Sequence, residues 1–201
     1  MIRVDVVQGT PEWQQARLGI PTASNFDKIV TTKGEPSKSA EKYMYQLVGE
    51  RLSGTKEDGY TNSHMERGIQ LEGEARQFYD LVNGVEVEEV GFCKHDSQLF
   101  GCSPDGLVGE DGGIEIKCPS MAVQVEYLLK KELPTAYFQQ VQGTLLVTGR
   151  KWWDFVSYYP SLQPLILRVQ RDEGFIGNLE RQLKLFSERL EKTYTQLKEE
   201  K

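Results

Sequence analysis

Residues 102–119 read CSPDGLVGEDGGIEIKCP, and this segment predicts a β-hairpin that carries charged side chains. The glycine- and acid-rich run 109–113 is typical of a turn between two strand-like segments, 99–102 and 114–118. On the second strand Glu115 and Lys117 share one face about 7 Å apart, because alternate side chains point the same way and each residue rises roughly 3.3 Å. Asp105, at the end of the opposing segment, is expected to converge on the same place.

Two interpretations of this hairpin are open. Its charges could be the ordinary surface charges of an exposed hairpin. Alternatively, two carboxylates with a cation behind them suit a divalent metal that holds a water for attack on a phosphate. The second interpretation is favoured by the apolar opposite face, made by Ile114, Ile116 and Cys118, and by Pro104, which fixes the backbone beside Asp105.

Length and composition limit the class of protein. The chain has 201 residues, so we expect a single domain over residues 1–201 that ends in an amphipathic helix over about 172–201. No apolar run is long enough to span a bilayer and the N-terminus lacks a signal-peptide core, so we expect a cytoplasmic protein with no membrane partner. The three cysteines are odd in number and widely spaced, which argues against a disulfide framework or structural zinc.

The net charge of −6 at first sight argues against a nucleic-acid partner. Acidic residues are nevertheless needed at a metal site, and basic residues can cluster locally. The basic residues that could line a DNA-facing surface are Lys28, Lys33, Lys38, Lys42, Lys130, Lys131, Arg150 and Lys151. Weak overall attraction would favour holding DNA by encircling it.

The order of helical and strand patterns predicts the fold class. Helices are expected at 12–17, 22–30, 39–52, 63–83, 121–131, 135–148 and 172–201, and strands at 85–92, 99–102, 114–118, 152–159 and 165–169. Residues 1–10 could form a short strand or arm, and 34–37 and 54–62 are expected to be loops. This order indicates an α/β or α+β fold with a central mixed sheet flanked by helices.

Glu72 is a further candidate for chemistry. On the 63–83 helix it shares a partly apolar face with Arg76, and an acid in that setting is costly unless it is paired or metal-bound. Arg76, one turn later, could satisfy it structurally. Alternatively, Glu72 could join Asp105 and Glu115 as a third carboxylate around magnesium.

Two other polar groups have both a structural and a functional interpretation. Arg17, Thr22 and Ser24 precede a helix, where they could bind phosphate or cap the helix. Gln140 lies on a largely apolar helix and could bond the backbone or position a water or a phosphate oxygen. The chain has no Gly-x-Ser-x-Gly, phosphate-binding glycine loop or dinucleotide fingerprint, which argues against those enzyme classes.

Several ordered blocks together resemble the phage lambda-type exonucleases, the viral-recombinase branch of the restriction-endonuclease-like nucleases. The blocks are Trp13 with Arg17-Leu18-Gly19 and Thr22-Ala23-Ser24, Gly68-x3-Glu72-x-x-Ala75-Arg76, Cys102-Ser103-Pro104-Asp105-Gly106, Glu115-Ile116-Lys117-Cys118-Pro119, and Ala136-Tyr137-x-x-Gln140-Val141-Gln142. The resemblance extends from about residue 9 to residue 172. It implies a restriction-endonuclease-like core.

The resemblance implies a magnesium-dependent 5′→3′ exonuclease that degrades one strand of linear duplex DNA. Such an enzyme releases 5′-mononucleotides and leaves a 3′ overhang for recombination by strand annealing. Mg²⁺, with Mn²⁺ as a substitute, would be held by Glu72, Asp105, Glu115 and the backbone carbonyl of Ile116. Lys117 would orient or activate the attacking water and stabilise developing charge on the phosphate, and Gln140 would assist.

The same resemblance implies the DNA contacts and partners. Arg17, Ser24 and Ser103 would form a pocket for the 5′-phosphate, Trp13 would belong to the same DNA-binding set, and Met65 could wedge open the terminal base pair. Family members form ring-shaped trimers and work beside a single-strand annealing protein, which implies a phage or prophage protein in a bacterial cytoplasm. Two alternatives remain: an endonuclease of the same fold, and a non-catalytic scaffold that binds DNA ends.

Overall fold

The structure, a computed structural model, describes residues 1–56 and 63–200, with the backbone alone for residues 63–66 and 69. The helices are α1 (Pro11–Ala16), α2 (Ala40–Ser53), α3 (Ser63–Asn83), α4 (Met121–Lys130), α5 (Phe138–Thr148) and α6 (Glu173–Glu199), with two 3₁₀ helices at Ala23–Lys28 and Thr135–Tyr137. The strands are β1 (Ile2–Val4), β2 (Val87–Glu88), β3 (Phe92–Lys94), β4 (Gly101–Cys102), β5 (Gly106–Val108), β6 (Gly112–Lys117), β7 (Trp152–Ser157) and β8 (Leu165–Gln170). Residues 57–62 of the expected loop 54–62 lie outside the described part.

The strands form two sheets. One has five strands in the order β2-β5-β6-β7-β8, in which β6 and β7 run parallel and the other neighbours antiparallel. The other has three strands in the order β1-β3-β4. The expectation of a mixed sheet flanked by helices is therefore confirmed, and the second, smaller sheet was not foreseen.

The hairpin before β6 is not the one that the sequence indicated. β6 pairs with β5, in the register Gly106↔Ile114, whereas the expected partner segment 99–102 contributes β4 to the smaller sheet. The reason lies at Pro104, which cannot donate a hydrogen bond to a ladder and so separates β4 from β5. The prediction of the partner strand was wrong, but Asp105 still lies at the start of the strand that pairs with β6.

β6 is a central strand with both faces covered. Ile114 and Ile116 pack with Ala75 and Tyr79 of α3 in one apolar cluster. On the opposite face Glu115 is only 1% exposed and contacts Gln140 of α5. The interpretation as an exposed hairpin with ordinary surface charges is therefore wrong.

The amphipathic helix α6 begins one residue after the expected boundary at residue 172. Asp172 accepts a hydrogen bond from the backbone N–H of Phe175 at 2.9 Å, which is the usual role of an N-cap aspartate. Leu179, Leu183 and Leu190 are fully buried in the core that α6 shares with α2 and α5. Among the described residues, no helix has both the length and the apolar character to cross a membrane.

Gly113→Ala is expected to destabilise the fold. A Cβ at this position would lie 2.3 Å from a ring carbon of the fully buried Trp153. Overpacking of this kind costs roughly 1–3 kcal/mol, which lowers the Tm by about 2–4 °C per kcal/mol in a chain of this size. Thermal denaturation measures the change. Gly73→Ala is the control, because its Cβ would meet nothing within 4 Å on an exposed helix face, and its Tm should be equal or slightly higher.

Candidate active site

Asp105 and β6 meet at the end of the strand. The backbone N–H of Ile116 donates to Asp105 Oδ2 at 2.6 Å, so the Asp105 carboxylate is fixed against the segment that carries Glu115 and Lys117. This bond replaces a ladder partner, because the register Gly106↔Ile114 extended by two pairs would set Pro104 opposite Ile116. The predicted convergence of Asp105 on Glu115 and Lys117 is present in the structure.

The backbone carbonyl of Ile116 lacks a donor from the neighbouring strand. The N–H and C=O groups of Lys117 point to β7, as shown by the bond from Tyr158 N to Lys117 O, so those of Ile116 point to the opposite side. On that side Pro104 has no N–H to donate. A carbonyl oxygen beside Asp105 is thus left for another ligand.

Glu115 is a buried carboxylate with one oxygen satisfied and one not. Its Oε1 accepts from Lys117 Nζ and from Gln140 Nε2, each at 2.5 Å. Its Oε2 is buried and has no hydrogen-bond partner in the described part of the chain. A buried carboxylate oxygen is costly unless it is bonded or bound to a cation. Glu115 Oε2 therefore marks the position that a cation fits.

Glu72 is turned toward Arg76. Arg76 Nη2 donates to Glu72 Oε1 at 2.7 Å, Nη1 lies 3.0 Å from Glu89, and Nε donates to the backbone carbonyl of Asp105 at 3.1 Å. This geometry agrees with the interpretation in which Arg76 pairs with Glu72 for structural reasons. No group of three or more His, Cys, Asp or Glu side chains in residues 1–56 and 63–200 is placed to hold a metal ion. The acceptors gathered at the site are Asp105, Glu115 and the Ile116 carbonyl.

The charges at this site interact strongly. Burial, with the negative charges of Glu115 and Glu72 adding to it, raises the pKa of Asp105 well above its ordinary value, although Lys117 opposes the shift. Burial also raises the pKa of Glu72, and Glu115 adds to this while Arg76 opposes it. The site therefore concentrates negative charge that a cation would relieve.

Lys117 keeps its proton. Burial alone would lower the pKa of its ammonium, but Glu115 and Asp105 outweigh burial and raise the pKa above its ordinary value. The ammonium also lies 5.1 Å from the ring centroid of Tyr137, whose face attracts a cation. Lys117 is thus a fixed hydrogen-bond donor and positive charge, suited to stabilising negative charge on a phosphate.

A second polar group adjoins the first. The guanidinium carbon of Arg17 lies 4.1 Å from the Trp13 ring centroid, and Trp13 Nε1 donates to Ser103 Oγ at 2.9 Å. Arg17 Nη2 also donates to Thr22 Oγ1 at 3.5 Å, and the Thr22 and Ser24 hydroxyls are 3.3 Å apart. Since Ser103 precedes Asp105 by two residues, the Trp13–Ser103 end of this group is close to Asp105 along the chain.

Other sequence-based expectations have mixed outcomes. Met65 is on α3, but its side chain lies outside the described part. Arg150 was expected on a DNA-facing surface, and this is wrong: it is 6% exposed and donates to the backbone carbonyls of Val108, Gly109 and Gly112. The carbonyls of the β5–β6 turn need donors, and Arg150 supplies them.

Two residues near the site were not anticipated. Asn25 donates to the Thr22 and Ser24 hydroxyls, and Tyr137 places its ring beside the Lys117 ammonium. The spacing Tyr137-x-x-Gln140 was the available signal for Tyr137, because residues three apart on a helical segment share a face. The sequence offered no signal for Asn25 beyond its position next to Ser24.

The family model for a YqaJ-like viral recombinase domain matches residues 12–151. The crystal structure of an alkaline exonuclease, LHK-Exo from Laribacter hongkongensis, is 39% identical with a TM-score of 0.87, and the match covers 95% of this chain and 97% of that chain. The crystal structure of LHK-Exo in complex with dAMP matches equally.

A phage-related exonuclease from Haemophilus somnus 129PT is 15% identical with a TM-score of 0.69, and its match covers 90% of this chain and 96% of that chain, which shows a shared fold. No match was found among curated proteins. The resemblance to viral-recombinase nucleases is confirmed, because the family match spans more than half of the chain and a relative at 39% identity covers 95% of it. The chain belongs to the family of YqaJ-like viral recombinase domains.

Proposed function

We propose that this protein is a magnesium-dependent 5′→3′ exonuclease that acts on the ends of linear double-stranded DNA. Family membership and 39% identity to an alkaline exonuclease make it a deoxyribonuclease. The cofactor, the polarity and the products are the proposal. The observation that carries it is the buried Glu115 Oε2, which has no hydrogen-bond partner among the described residues and lies beside Asp105 and a protonated lysine.

The proposed cofactor is Mg²⁺, with Mn²⁺ as a possible substitute. Hard divalent cations prefer carboxylate and carbonyl oxygens, which is the donor set of Asp105, Glu115 and the Ile116 backbone carbonyl. Glu72 would join this set by exchanging Arg76 for the cation, and Arg76 would keep its contact with Glu89. Bound Mg²⁺ would polarise the phosphate and lower the pKa of the attacking water.

The remaining residues have separate roles in the proposed reaction. Lys117, held by Glu115, would orient the attacking water and stabilise the charge that develops on the phosphate oxygens. Gln140 would keep the Glu115 carboxylate in place through its bond to Oε1. Because Lys117 is protonated, it serves as a donor and not as the base.

The 5′→3′ polarity is supported by the polar group beside the carboxylates. Arg17, Ser24 and Ser103 would bind the 5′-phosphate of the strand end, and Trp13 would support them. A pocket for the terminal phosphate next to the hydrolytic centre limits each cut to a short product. The complex of the 39% identical LHK-Exo with dAMP supports a mononucleotide product.

The proposed assembly is a ring-shaped trimer around the DNA that works beside a single-strand annealing protein in a bacterial cytoplasm. The net charge of −6 supports retention by encirclement, because it provides little overall attraction for DNA. Sedimentation equilibrium should give three times the chain mass of 22.9 kDa, and a monomer would contradict the ring.

The test of the proposed function uses three substrates with Mg²⁺. A blunt duplex labelled at its 5′ ends should release labelled mononucleotide at once, and the same duplex labelled at its 3′ ends should release label late. Closed circular DNA should stay intact. Cutting of the circle would favour an endonuclease, and binding without any release would favour a scaffold.

Arg17→Ala is expected to narrow the rate difference between 5′-phosphorylated and 5′-hydroxyl duplexes. The lost guanidinium is a charged hydrogen-bond donor, and such a bond contributes about 1.5–3 kcal/mol, or roughly 10- to 150-fold in rate on the phosphorylated end. Initial rates on the two duplexes measure the effect. Arg181→Ala is the control, since Arg181 lies on the exposed face of α6. An unchanged preference would remove Arg17 from the pocket.

A further inference from the structure

The hydroxyl groups of the proposed 5′-phosphate pocket have a defined hydrogen-bond polarity. A serine or threonine hydroxyl has one proton to donate and two lone pairs that accept. Whether such a group recognises a phosphate depends on whether its proton is still available. The neighbours of Thr22, Ser24 and Ser103 answer this question.

Thr22 accepts on both lone pairs. Arg17 Nη2 donates to its Oγ1 at 3.5 Å, and Asn25 Nδ2 donates to the same atom at 3.2 Å. With both lone pairs used, Thr22 cannot also accept from Ser24. In the 3.3 Å contact between the two hydroxyls, Ser24 therefore does not donate to Thr22.

Ser24 is left as a donor. Its Oγ accepts from Asn25 Nδ2 at 3.3 Å, and Thr22 does not accept its proton. Its own proton is then free for an outside acceptor, and Ser24 is exposed. Asn25 thus sets the direction of the bonds at both hydroxyls.

Trp13 has the corresponding role at Ser103. The indole N–H donates to Ser103 Oγ at 2.9 Å and also lies 3.2 Å from the Gly91 carbonyl, so it has no donor left for a ligand. The Ser103 proton must therefore point elsewhere. The ring of the same indole packs against the Arg17 guanidinium, which limits the rotamers of that side chain.

From these bonds we infer that Trp13 and Asn25 are positioning residues that make the pocket a set of donors, and that they determine its selectivity for a terminal phosphate over a terminal hydroxyl. A phosphate offers acceptors alone, which matches the outward protons of Ser24 and Ser103 and the charge of Arg17. A 5′-hydroxyl has a weaker acceptor and no charge. This inference rests on the proposed function, because it concerns the same pocket.

The test compares Trp13→Phe and Asn25→Leu, each of which removes the N–H donors and leaves a side chain of similar size. The kcat/KM is measured on 5′-phosphorylated and 5′-hydroxyl blunt duplexes. In each variant the kcat/KM on the phosphorylated duplex should fall roughly 5-fold, the factor expected for one hydrogen bond. The kcat/KM on the hydroxyl duplex should change less than about 2-fold.

Two matched variants control for general damage. Trp152→Phe alters a tryptophan that also stacks on an arginine, Arg168, at 3.7 Å, and Asn83→Leu removes an amide that bonds the Tyr79 carbonyl. Both should leave the ratio of the two rates unchanged. Because Trp13→Phe and Asn25→Leu act on different hydroxyls, either one tests the inference if the other does not fold.

The outcomes separate the inference from the proposed function. If the wild type prefers the phosphorylated end and both variants keep that preference, Trp13 and Asn25 do not set it and the inference is wrong. If the wild type releases no mononucleotide or shows no preference, the proposed function or its 5′ polarity is wrong. The inference is supported if the ratio of kcat/KM on the phosphorylated duplex to kcat/KM on the hydroxyl duplex falls in both variants and stays at the wild-type value in the controls.

Discussion

Lys117→Ala is expected to abolish turnover while leaving DNA binding largely intact. The Lys117 ammonium is a positive charge that Glu115 holds beside the proposed cation site, and its raised pKa keeps it protonated. Removing one such donor from a buried site typically costs 10²- to 10³-fold in kcat. Single-turnover release of nucleotide measures the chemical step, and fluorescence anisotropy of a labelled duplex measures binding.

The control for this variant is Lys184→Ala, because Lys184 is an exposed lysine of α6 that pairs with Glu180 at 2.7 Å. It should retain the wild-type rate. Near-normal turnover of Lys117→Ala would contradict its assigned role. A loss of binding equal to the loss of turnover would assign Lys117 to substrate affinity in place of the chemical step.

Asp105→Asn is expected to stabilise the cation-free protein and to abolish its response to divalent cations. The pKa of Asp105 is raised by burial and by the charge of Glu115, so the folded protein holds this proton more tightly than the unfolded chain does. Asparagine keeps an oxygen to accept from the Ile116 N–H but carries no charge. The Tm without cation should rise by about 2–4 °C, the shift for about 1 kcal/mol in a chain of this size.

The sign of the pH dependence follows from the same raised pKa. The protonated Asp105 contributes stability below the pKa of an unfolded aspartate, and this contribution is lost as the pH rises toward the folded pKa. Wild-type Tm without cation should therefore fall over that range more than the Tm of Asp105→Asn. With Mg²⁺ the wild type should recover stability at neutral pH, because the cation relieves the repulsion.

Asp111→Asn is the control, since Asp111 is an exposed turn residue. Its Tm should still rise on addition of Mg²⁺, as in the wild type. A Mg²⁺-dependent Tm increase in Asp105→Asn equal to that of the wild type would exclude Asp105 from the cation site. Thermal denaturation with and without Mg²⁺ at several pH values gives all of these comparisons.

The parts of the site that depend on local pattern were predictable from the sequence. Glu115 and Lys117 alternate on a strand bounded by glycines and Pro119, so their shared face follows from strand geometry alone. The amphipathic pattern of residues 172–201 predicted α6 in the same way. Membership of the nuclease family followed from the ordered blocks, and the structural match confirms it.

The parts that depend on long-range pairing were not predictable. The segment 99–102 has a strand pattern, but nothing local indicates that it pairs with β3 and that the shorter β5 pairs with β6. The expected strand 85–92 is divided between β2 and β3, which belong to different sheets. Pairing is decided by distant partners and by register, which a single strand pattern does not contain.

Side-chain partners across the fold were equally hidden. The sequence left open whether Glu72 pairs with Arg76 or binds a cation. In the structure, which holds no cation, Glu72 accepts a hydrogen bond from Arg76. Arg150 looked like a surface cation but satisfies three backbone carbonyls of a turn. An arginine has no sequence signature that separates an exposed role from this buried one, because its neighbours come from residues about 40 positions away.

Anomalous diffraction from a crystal soaked in Mn²⁺ tests the central claim most directly, since it locates the cation without reference to activity. We predict a strong peak bonded to Glu115 Oε2, an Asp105 carboxylate oxygen and the Ile116 carbonyl oxygen, with Lys117 Nζ still on Glu115 Oε1. A Mn²⁺ peak elsewhere would contradict a hydrolytic cation centre at the end of β6. So would the absence of a peak, together with Asp105 and Glu115 carboxylates that point to separate surfaces.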